Sequence, residues 1–364
     1  MATSRPGGQT QSPVATIPAS HQADRILIIR LSHLGDIVHT LPLLSALREA
    51  YPESHIGWLV EDSLAPFLFK LTALTEPIVL PRERMRASRS VRECLPLARR
   101  LRSRRFQVTI DVHGLTKSSI WGLVAGSPRR IGFAGENGRE LSRWLNNTLV
   151  QPRPEAHHVV NRNLALLEPL GVFAPSVRFE MPIFNQAAEG ISIWLQETCG
   201  SHRPCLISPG AGWETKRWPA EMYGALAASL ANEINRPVIV LWGAGEEHLR
   251  DTVLAVSHSN LVFPAPRTDL AQMTELIRRS GLLVTNDTGP LHLAVALGVP
   301  TVSIFGPSDP RRNGPYYSSG HRVVRADVPC LECWKTVCPA QDTLCCMRGV
   351  TVESVLSAAL EVLS

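Results

Sequence analysis

Lysine is scarce in this chain. It occurs only at Lys70, Lys117, Lys216 and Lys335, and the other 33 of the 37 basic residues are arginine. Arginine is therefore the default cation, and a lysine inside a motif stands out as a compact, mobile point charge. Long apolar runs are missing too. None reaches the roughly 18 residues of a membrane-spanning helix. Residues 1–22 are rich in Ser, Thr, Gln, Pro and Gly and hold no apolar segment. They read as a disordered tail rather than a signal peptide, which points to a cytoplasmic protein. No G-x-G-x-x-G follows a strand pattern, so a nicotinamide oxidoreductase is disfavoured. The paired C-x2-C…C-x2-C spacing of a zinc ribbon is also absent.

What is present fits a globular protein with full cores. The chain has 364 residues, 44% hydrophobic and 19% charged, with a net charge of +5. That length favours two domains. Its most informative stretch is 282–317. Leu282-Leu283-Val284 reads as a buried strand, and Asn286-Asp287-Thr288-Gly289 breaks it with turn and capping residues. Pro290 suits a first helical turn, and Leu291, Leu293, Ala294 and Leu297 follow at helical spacing. Gly298 and Pro300 stop the helix, and Thr301 to Phe305 is the next strand. This is one parallel-sheet unit.

Its turn has the chemistry of an anion site. Backbone N–H groups and the positive end of the helix converge at Thr288 and Gly289. Asp287 stands at the strand's carboxyl end, where open α/β sheets bind ligands, and His292 is on the first helical turn. The residues read as a diphosphate site with a carboxylate and an imidazole beside it. An ordinary capped helix would show the same local pattern.

The rest of the chain repeats the theme. Arg25 to Arg30 is a strand leading through Leu31-Ser32-His33-Leu34-Gly35-Asp36 into a helical pattern. Asp36 is either an N-terminal cap or a general base at the mouth of the first sheet. Further strands are expected at His55 to Glu61, Ile78 to Leu80 and Gln107 to Val112, the last ending in His113-Gly114-Leu115-Thr116-Lys117-Ser118. Residues 82–105 hold ten arginines and two glutamates. They form a solvated helical face or a cationic rim for an anionic acceptor or membrane surface. Nucleic acid is disfavoured because no aromatics are interleaved for stacking. A Gly-rich loop runs from Gly135 to Gly138, followed by Arg139-Glu140.

Breaks at Pro175, Pro182 and Asn185 mark the domain junction, after which the pattern restarts. Strands at Pro204 to Ser208, Pro237 to Trp242 and Leu261 to Pro264 are expected, the first followed by the Gly-rich Pro209–Pro219. The expected division is 23–180, 181–349 and a C-terminal helix at 350–364. Five of the eight cysteines fall between Cys330 and Cys346. Cys330, Cys333, Cys338 and Cys345 could hold a structural zinc, or the cluster is a set of reduced thiols.

Three ordered motifs carry a resemblance from about Arg25 to the C-terminus. They are RLSHLGDIVHTLP (Arg30–Pro42), PGAGWETKRWP (Pro209–Pro219) and NDTGPLHLAVALGVPTVSIFGPSDPRRNGPY (Asn286–Tyr316). With them the chain resembles glycosyltransferase family 9, the ADP-heptose lipopolysaccharide heptosyltransferases, and is most similar to the heptosyltransferase I branch. The resemblance implies a GT-B fold: two Rossmann-like α/β domains facing each other across a cleft. It places the acceptor on the N-terminal domain and the nucleotide sugar on the C-terminal one. It also implies inverting transfer of heptose from an ADP-sugar to the Kdo/lipid A inner core, without a required cofactor.

Site residues carry over with the motifs. Asp36 matches the catalytic carboxylate and Lys216 the lysine that meets diphosphate and sugar. Glu247 matches the residue on the ribose, and Thr268 falls where the backbone meets adenine. Asp287, Thr288, Gly289 and His292 match the donor-sugar and diphosphate group. His39, His113, Lys117 and Arg139 are expected on the acceptor side. Where some members carry a pair of hydroxyl residues, this chain has Ala211-Gly212, so backbone N–H groups would have to replace them. A GT-B enzyme with another nucleotide sugar or acceptor is the alternative. A non-catalytic nucleotide-sugar-binding protein is disfavoured, because both Asp36 and Lys216 are kept. The anionic glycolipid acceptor implies peripheral contact with the cytoplasmic face of the inner membrane.

Overall fold

The apolar runs pair into two six-stranded sheets, all of whose ladders are parallel. In the computed structural model, residues 23–88, 90–339 and 343–364 are described; the expected disordered tail lies outside them. The first sheet holds β1 (Arg25–Ile29), β2 (His55–Glu61), β3 (Glu76–Leu80), β4 (Val108–Asp111), β5 (Arg129–Phe133) and β6 (Thr148–Val150), in the order β3-β2-β1-β4-β5-β6. The second holds β7 (Cys205–Ser208), β8 (Val238–Val240), β9 (Val262–Pro264), β10 (Leu282–Asn286), β11 (Thr301–Ile304) and β12 (His321–Val324), in the order β12-β11-β10-β7-β8-β9. Each half is a doubly wound sheet in the Rossmann order. Two of them make the GT-B arrangement that the motifs imply.

Burial explains the uninterrupted apolar character of the inner strands. Ile26 to Ile29, Leu206, Ile207 and Leu282 to Val284 are wholly buried, as strands with helices on both faces must be. The expected strands and the turns after them are recovered. The strands β5, β6 and β12 were not foreseen: Arg129–Phe133 opens on two arginines, and Thr148–Val150 and His321–Val324 lack a clear apolar pattern. The arginine-rich segment forms the helices Arg82–Ser88 and Leu95–Ser103 with a 3-10 turn, Val91–Cys94, between them. The C-terminal helix Val352–Leu363 packs on the second sheet and on the helix Ala220–Ile234.

In this topology the order reverses between β1 and β4 and again between β7 and β10. Ligands bind at the carboxyl ends of such strands. The segments that follow these four strands contain Asp36, His113, Lys216 and Asp287.

Candidate active site

The turns of the two halves touch. A Cβ placed on Gly35 would lie 2.3 Å from His292 Cδ2, and one on Gly289 would lie 3.1 Å from Leu34 Cδ2. Glycine at 35 is therefore required by the approach of the helix Gly289–Ala296 to the helix Leu34–Val38. The N-terminal turns of two helices, one from each sheet, share one mouth.

On the C-terminal side, Lys216 Nζ donates to Asp287 Oδ2 at 2.6 Å and stands 4.6 Å from the Trp213 ring centre. The same Asp287 oxygen accepts from Ser308 Oγ at 2.6 Å. His292 Nε2 is 3.6 Å from the other oxygen. Burial alone would raise the Asp287 carboxyl, but His292 and Lys216 outweigh it and hold the group well below the usual carboxylate range. Asn286 fixes the facing loop: its side chain donates to Pro209 O and Gly210 O, and accepts from Trp218 N. Thr288, in extended conformation, is the N-terminal cap of the Gly289–Ala296 helix, which leaves the first backbone N–H groups pointing at the mouth.

Glu247 is exposed on the first turn of the helix Glu247–Ser257. Its neighbour Glu246 turns inward, accepts from Gly243 N at 2.8 Å and occupies the space a Cβ on Gly210 would fill. Thr268 is half-buried in the loop between β9 and the helix Leu270–Arg278.

On the N-terminal side, Asp36 is ion-paired with Arg30, and His33 Nδ1 lies 3.7 Å from the same carboxylate oxygen. Arg30 is itself anchored to Val112 O at 3.0 Å, next to the end of β4. His33 has φ 68. A non-glycine residue in the left-handed region costs about 1–3 kcal/mol, so the tertiary contacts fix this turn. His113 is half-buried, and burial, then Arg30 and Lys117, push its imidazole down to about 2. Lys117 and Arg139 are exposed, and Arg139 N donates to Gly114 O, which joins the two acceptor-side loops.

His39 does not line the acceptor side as expected. It is buried at the junction of the two halves, its ring 4.2 Å from His292 and 5.5 Å from His158. The helix Leu34–Val38 turns its own C-terminal end inward, so the residue after it is carried away from the mouth. His158 Nε2 also meets Gly314 O at 3.0 Å. Burial holds His158 at about 4, and burial with the two neighbouring imidazoles holds His39 far below the usual value.

Sequence reading missed Arg30, Ser308 and the histidine junction. Arg30 directly follows β1 and Ser308 lies shortly after β11, so a place beyond a strand's carboxyl end was a usable signal for both; the histidine junction depends on residues distant in sequence.

The cysteine-rich loop packs behind the donor side. Thr215 Oγ1 donates to Lys335 O and Trp334 N to Pro307 O, both at 2.8 Å. Cys330 and Cys345 sulfurs are 3.4 Å apart, while Cys338 accepts from Leu344 N and Cys333 is exposed. Among the described residues no group of three or more His, Cys, Asp or Glu side chains is arranged to hold a metal ion.

Residues 94–344 match the model of glycosyltransferase family 9 (heptosyltransferase). The lipopolysaccharide heptosyltransferase 1 of Pseudomonas aeruginosa is 30% identical over 326 residues, covering 88% of each chain. The lipopolysaccharide heptosyltransferase 2 of Escherichia coli is 29% identical and covers 83% of this chain and 88% of its own. Among solved structures, the E. coli ADP-heptose lipopolysaccharide heptosyltransferase II superposes with TM-score 0.72 at 25% identity, covering 93% of this chain and 98% of that one. An E. coli heptosyltransferase solved with ADP gives TM-score 0.73 at 23% identity, with 93% and 99% coverage.

Proposed function

The chain belongs to glycosyltransferase family 9, the heptosyltransferase family, and is a glycosyltransferase; on that footing we propose that it moves heptose from ADP-L-glycero-D-manno-heptose to the Kdo-bearing inner core of lipopolysaccharide, with inversion at the anomeric carbon. The observation that carries this reading is the shared mouth, where the helix bearing Asp36 packs on the N-terminal turn of the helix that follows the Lys216–Asp287 pair.

An acceptor hydroxyl is a weak nucleophile. Asp36 takes its proton as the oxygen attacks the anomeric carbon, and Arg30 keeps the carboxylate turned into the mouth. The bond from the sugar to the diphosphate breaks, and ADP leaves with its charge developing beside Lys216 and the backbone N–H groups at Thr288 and Gly289. Asp287, with Ser308, holds the ammonium in place before the donor arrives. Glu247 meets the ribose, and the Thr268 backbone meets adenine. The reading assigns no cofactor to the transfer and gives the leaving group's charge to the chain's own cations and dipoles.

The test is transfer from ADP-heptose to a heptose-less Kdo-lipid A by the wild-type protein. Turnover supports the reading. Tight ADP-heptose binding without turnover would move the acceptor to another molecule. Lys216→Ala should lower kcat about 10²–10³-fold, as loss of a donor to developing charge does. Lys216→Arg should restore little, because a planar fork does not replace a point charge. Near-wild-type kcat in Lys216→Ala would remove the lysine from the mechanism.

Peripheral contact with an anionic membrane is part of the same reading. Among the described residues no helix is long and apolar enough to cross a membrane. The arginine-rich helices are poorer candidates than their composition implies. Arg100 and Arg104 are engaged with Glu76 at 2.5 and 2.9 Å. Burial would raise that glutamate, but the two guanidinium groups outweigh it and hold it at about 2. A better face lies on the helices Thr116–Val124 and Ser142–Leu145. It exposes Ile120, Leu123, Leu141 and Trp144, with Arg143 stacked 5.5 Å from the Trp144 ring centre. An aromatic with an adjacent cation suits the headgroup region of an anionic bilayer. Trp144→Ser should weaken binding to vesicles containing phosphatidylglycerol, measured by sedimentation. Unchanged binding would reject this face.

A further inference from the structure

Two of the five clustered cysteines meet. Cys330 and Cys345 are both half-buried, with their sulfurs 3.4 Å apart. The other three are differently placed: Cys346 is buried, Cys338 accepts from Leu344 N, and Cys333 is exposed. The sulfurs of a disulfide stand about 2.05 Å apart, so Cys330 and Cys345 have only about 1.3 Å to close. The backbone on both sides of the pair is strained. Glu332, Trp334 and Leu344 have φ of 60, 55 and 64, which non-glycine residues keep only where surrounding contacts impose it.

Those contacts reach the donor cluster. Glu332 N donates to Gly306 O at 3.1 Å and Trp334 N to Pro307 O at 2.8 Å, just ahead of Ser308, which bonds Asp287. Lys335 O accepts from Thr215 Oγ1 at 2.8 Å, next to Lys216, which bonds the same carboxylate. Residues 332–335 are therefore a clasp on the two loops that carry Ser308 and Lys216, and the clasp begins two positions after Cys330. Cys345 opens the short helix Cys345–Arg348, which presses on the same loop from another side. A Cβ placed on Gly306 would lie 2.8 Å from Cys346 Sγ and 2.6 Å from Met347 Sδ. A bond between Cys330 and Cys345 joins clasp and helix, so that both elements packed on Gly306 become one unit.

We propose that Cys330 and Cys345 are a site of reversible oxidation, closed to a disulfide by exchange with a low-molecular-weight disulfide, and that the bond locks the clasp behind Lys216 and Ser308. One thiolate of the pair attacks a sulfur of the small disulfide, releases one small thiol and becomes a mixed disulfide. The other thiolate attacks the protein sulfur of that mixed disulfide and releases the second small thiol. The two cysteines are oxidised, the small disulfide is reduced to two thiols, and those thiols carry away the protons of Cys330 and Cys345. An excess of small thiol runs the exchange backwards. The lock acts whichever sugar the donor carries, so it does not depend on heptose transfer.

The test treats the reduced full-length protein with oxidised glutathione, blocks the remaining thiols, and maps tryptic peptides by mass spectrometry. Cleavage after Arg325, Lys335 and Arg348 yields residues 326–335, with Cys330 and Cys333, and residues 336–348, with Cys338, Cys345 and Cys346. The two peptides should appear linked, and dithiothreitol should separate them. Fragmentation should place the link at Cys330 and Cys345. It should persist in the Cys333→Ser/Cys338→Ser double variant and disappear in Cys330→Ser. Oxidation of the wild type should raise the melting temperature about 5–10 °C, the gain for closing a loop of about 15 residues, and Cys330→Ser should show no such rise. Backbone amides of 213–217 and 306–309 should exchange with solvent more slowly once the link has formed. No link, a link through other cysteines, or a tightly held metal ion that must be chelated before the thiols react would overturn the oxidation site. A link with unchanged melting temperature and unchanged exchange in both loops would overturn the lock.

Discussion

Asp36→Asn is expected to lower kcat about 10²–10⁴-fold while leaving the Kd for ADP unchanged, because a positioned general base contributes a factor of that size. The separation of the two readouts is the point. Asp36 stands on the first sheet, paired with Arg30, while the donor cluster of Lys216, Asp287 and Ser308 is built from β10 and the loops after β7 and β11. Asparagine keeps the size of the side chain and a hydrogen-bond acceptor for Arg30 but cannot take a proton. Single-turnover transfer and ADP calorimetry on the same preparation would decide it. A variant retaining wild-type kcat would show that Asp36 only orients Arg30. A variant losing ADP affinity as well would show that the two turns act as one folded unit.

The second large effect is on stability against acid. His39, His113 and His158 are all held below the ordinary imidazole value of 6.5, burial being the first cause for each. In the folded chain they stay neutral, His158 down to about pH 4 and His113 to about 2, whereas in the unfolded chain they take up protons near 6.5. The unfolded state thus binds more protons, and stability present above pH 6.5 is lost as pH falls. A group that stays neutral through that window contributes about 1 kcal/mol per pH unit there, an appreciable share of a domain's ~5–15 kcal/mol. Asp287 and Glu76, depressed by their cationic partners, add a loss of the same sign at lower pH. Asp111 opposes it: burial raises its carboxyl, despite bonds from Ser119, Gly114 and Asn146, so protonation relieves a penalty there. Urea unfolding at pH 7.5, 6.5, 5.5 and 4.5 should show the midpoint falling steeply below 6.5. His158→Gln should flatten part of that slope. A midpoint independent of pH would contradict the burial of these rings.

Much of the fold was legible because parallel strands buried on both faces must be apolar throughout, and the turns after them must be polar. The inner strand β1 carries that signature most fully and β2, β4, β7, β10 and β11 in part, and the turns that follow β1, β7 and β10 bear glycine. The outer strands β6 and β12 do not, since an edge strand has one neighbour and one face to satisfy and tolerates His321, Arg322 and Thr148. The site divides in the same way. Asp36, Asp287, Thr288 and Gly289 were readable from residue type and from their place after strands, and Lys216 from the likeness of its motif. Which of them touch was not. The bond from Lys216 to Asp287 spans 71 positions, and the one from Asn286 to the Pro209 carbonyl spans 77.

His39 shows the limit most clearly. Three residues beyond Asp36 and polar, it reads as a mouth residue, yet it is sealed between the halves against His158 and His292. Sequence determined the strands, the turns and the chemical types offered at each turn, because these follow from local periodicity and from burial on a sheet. Only the packing of one sheet against the other decided which turns face each other and which histidines lose their water, because those depend on contacts between residues far apart in the chain.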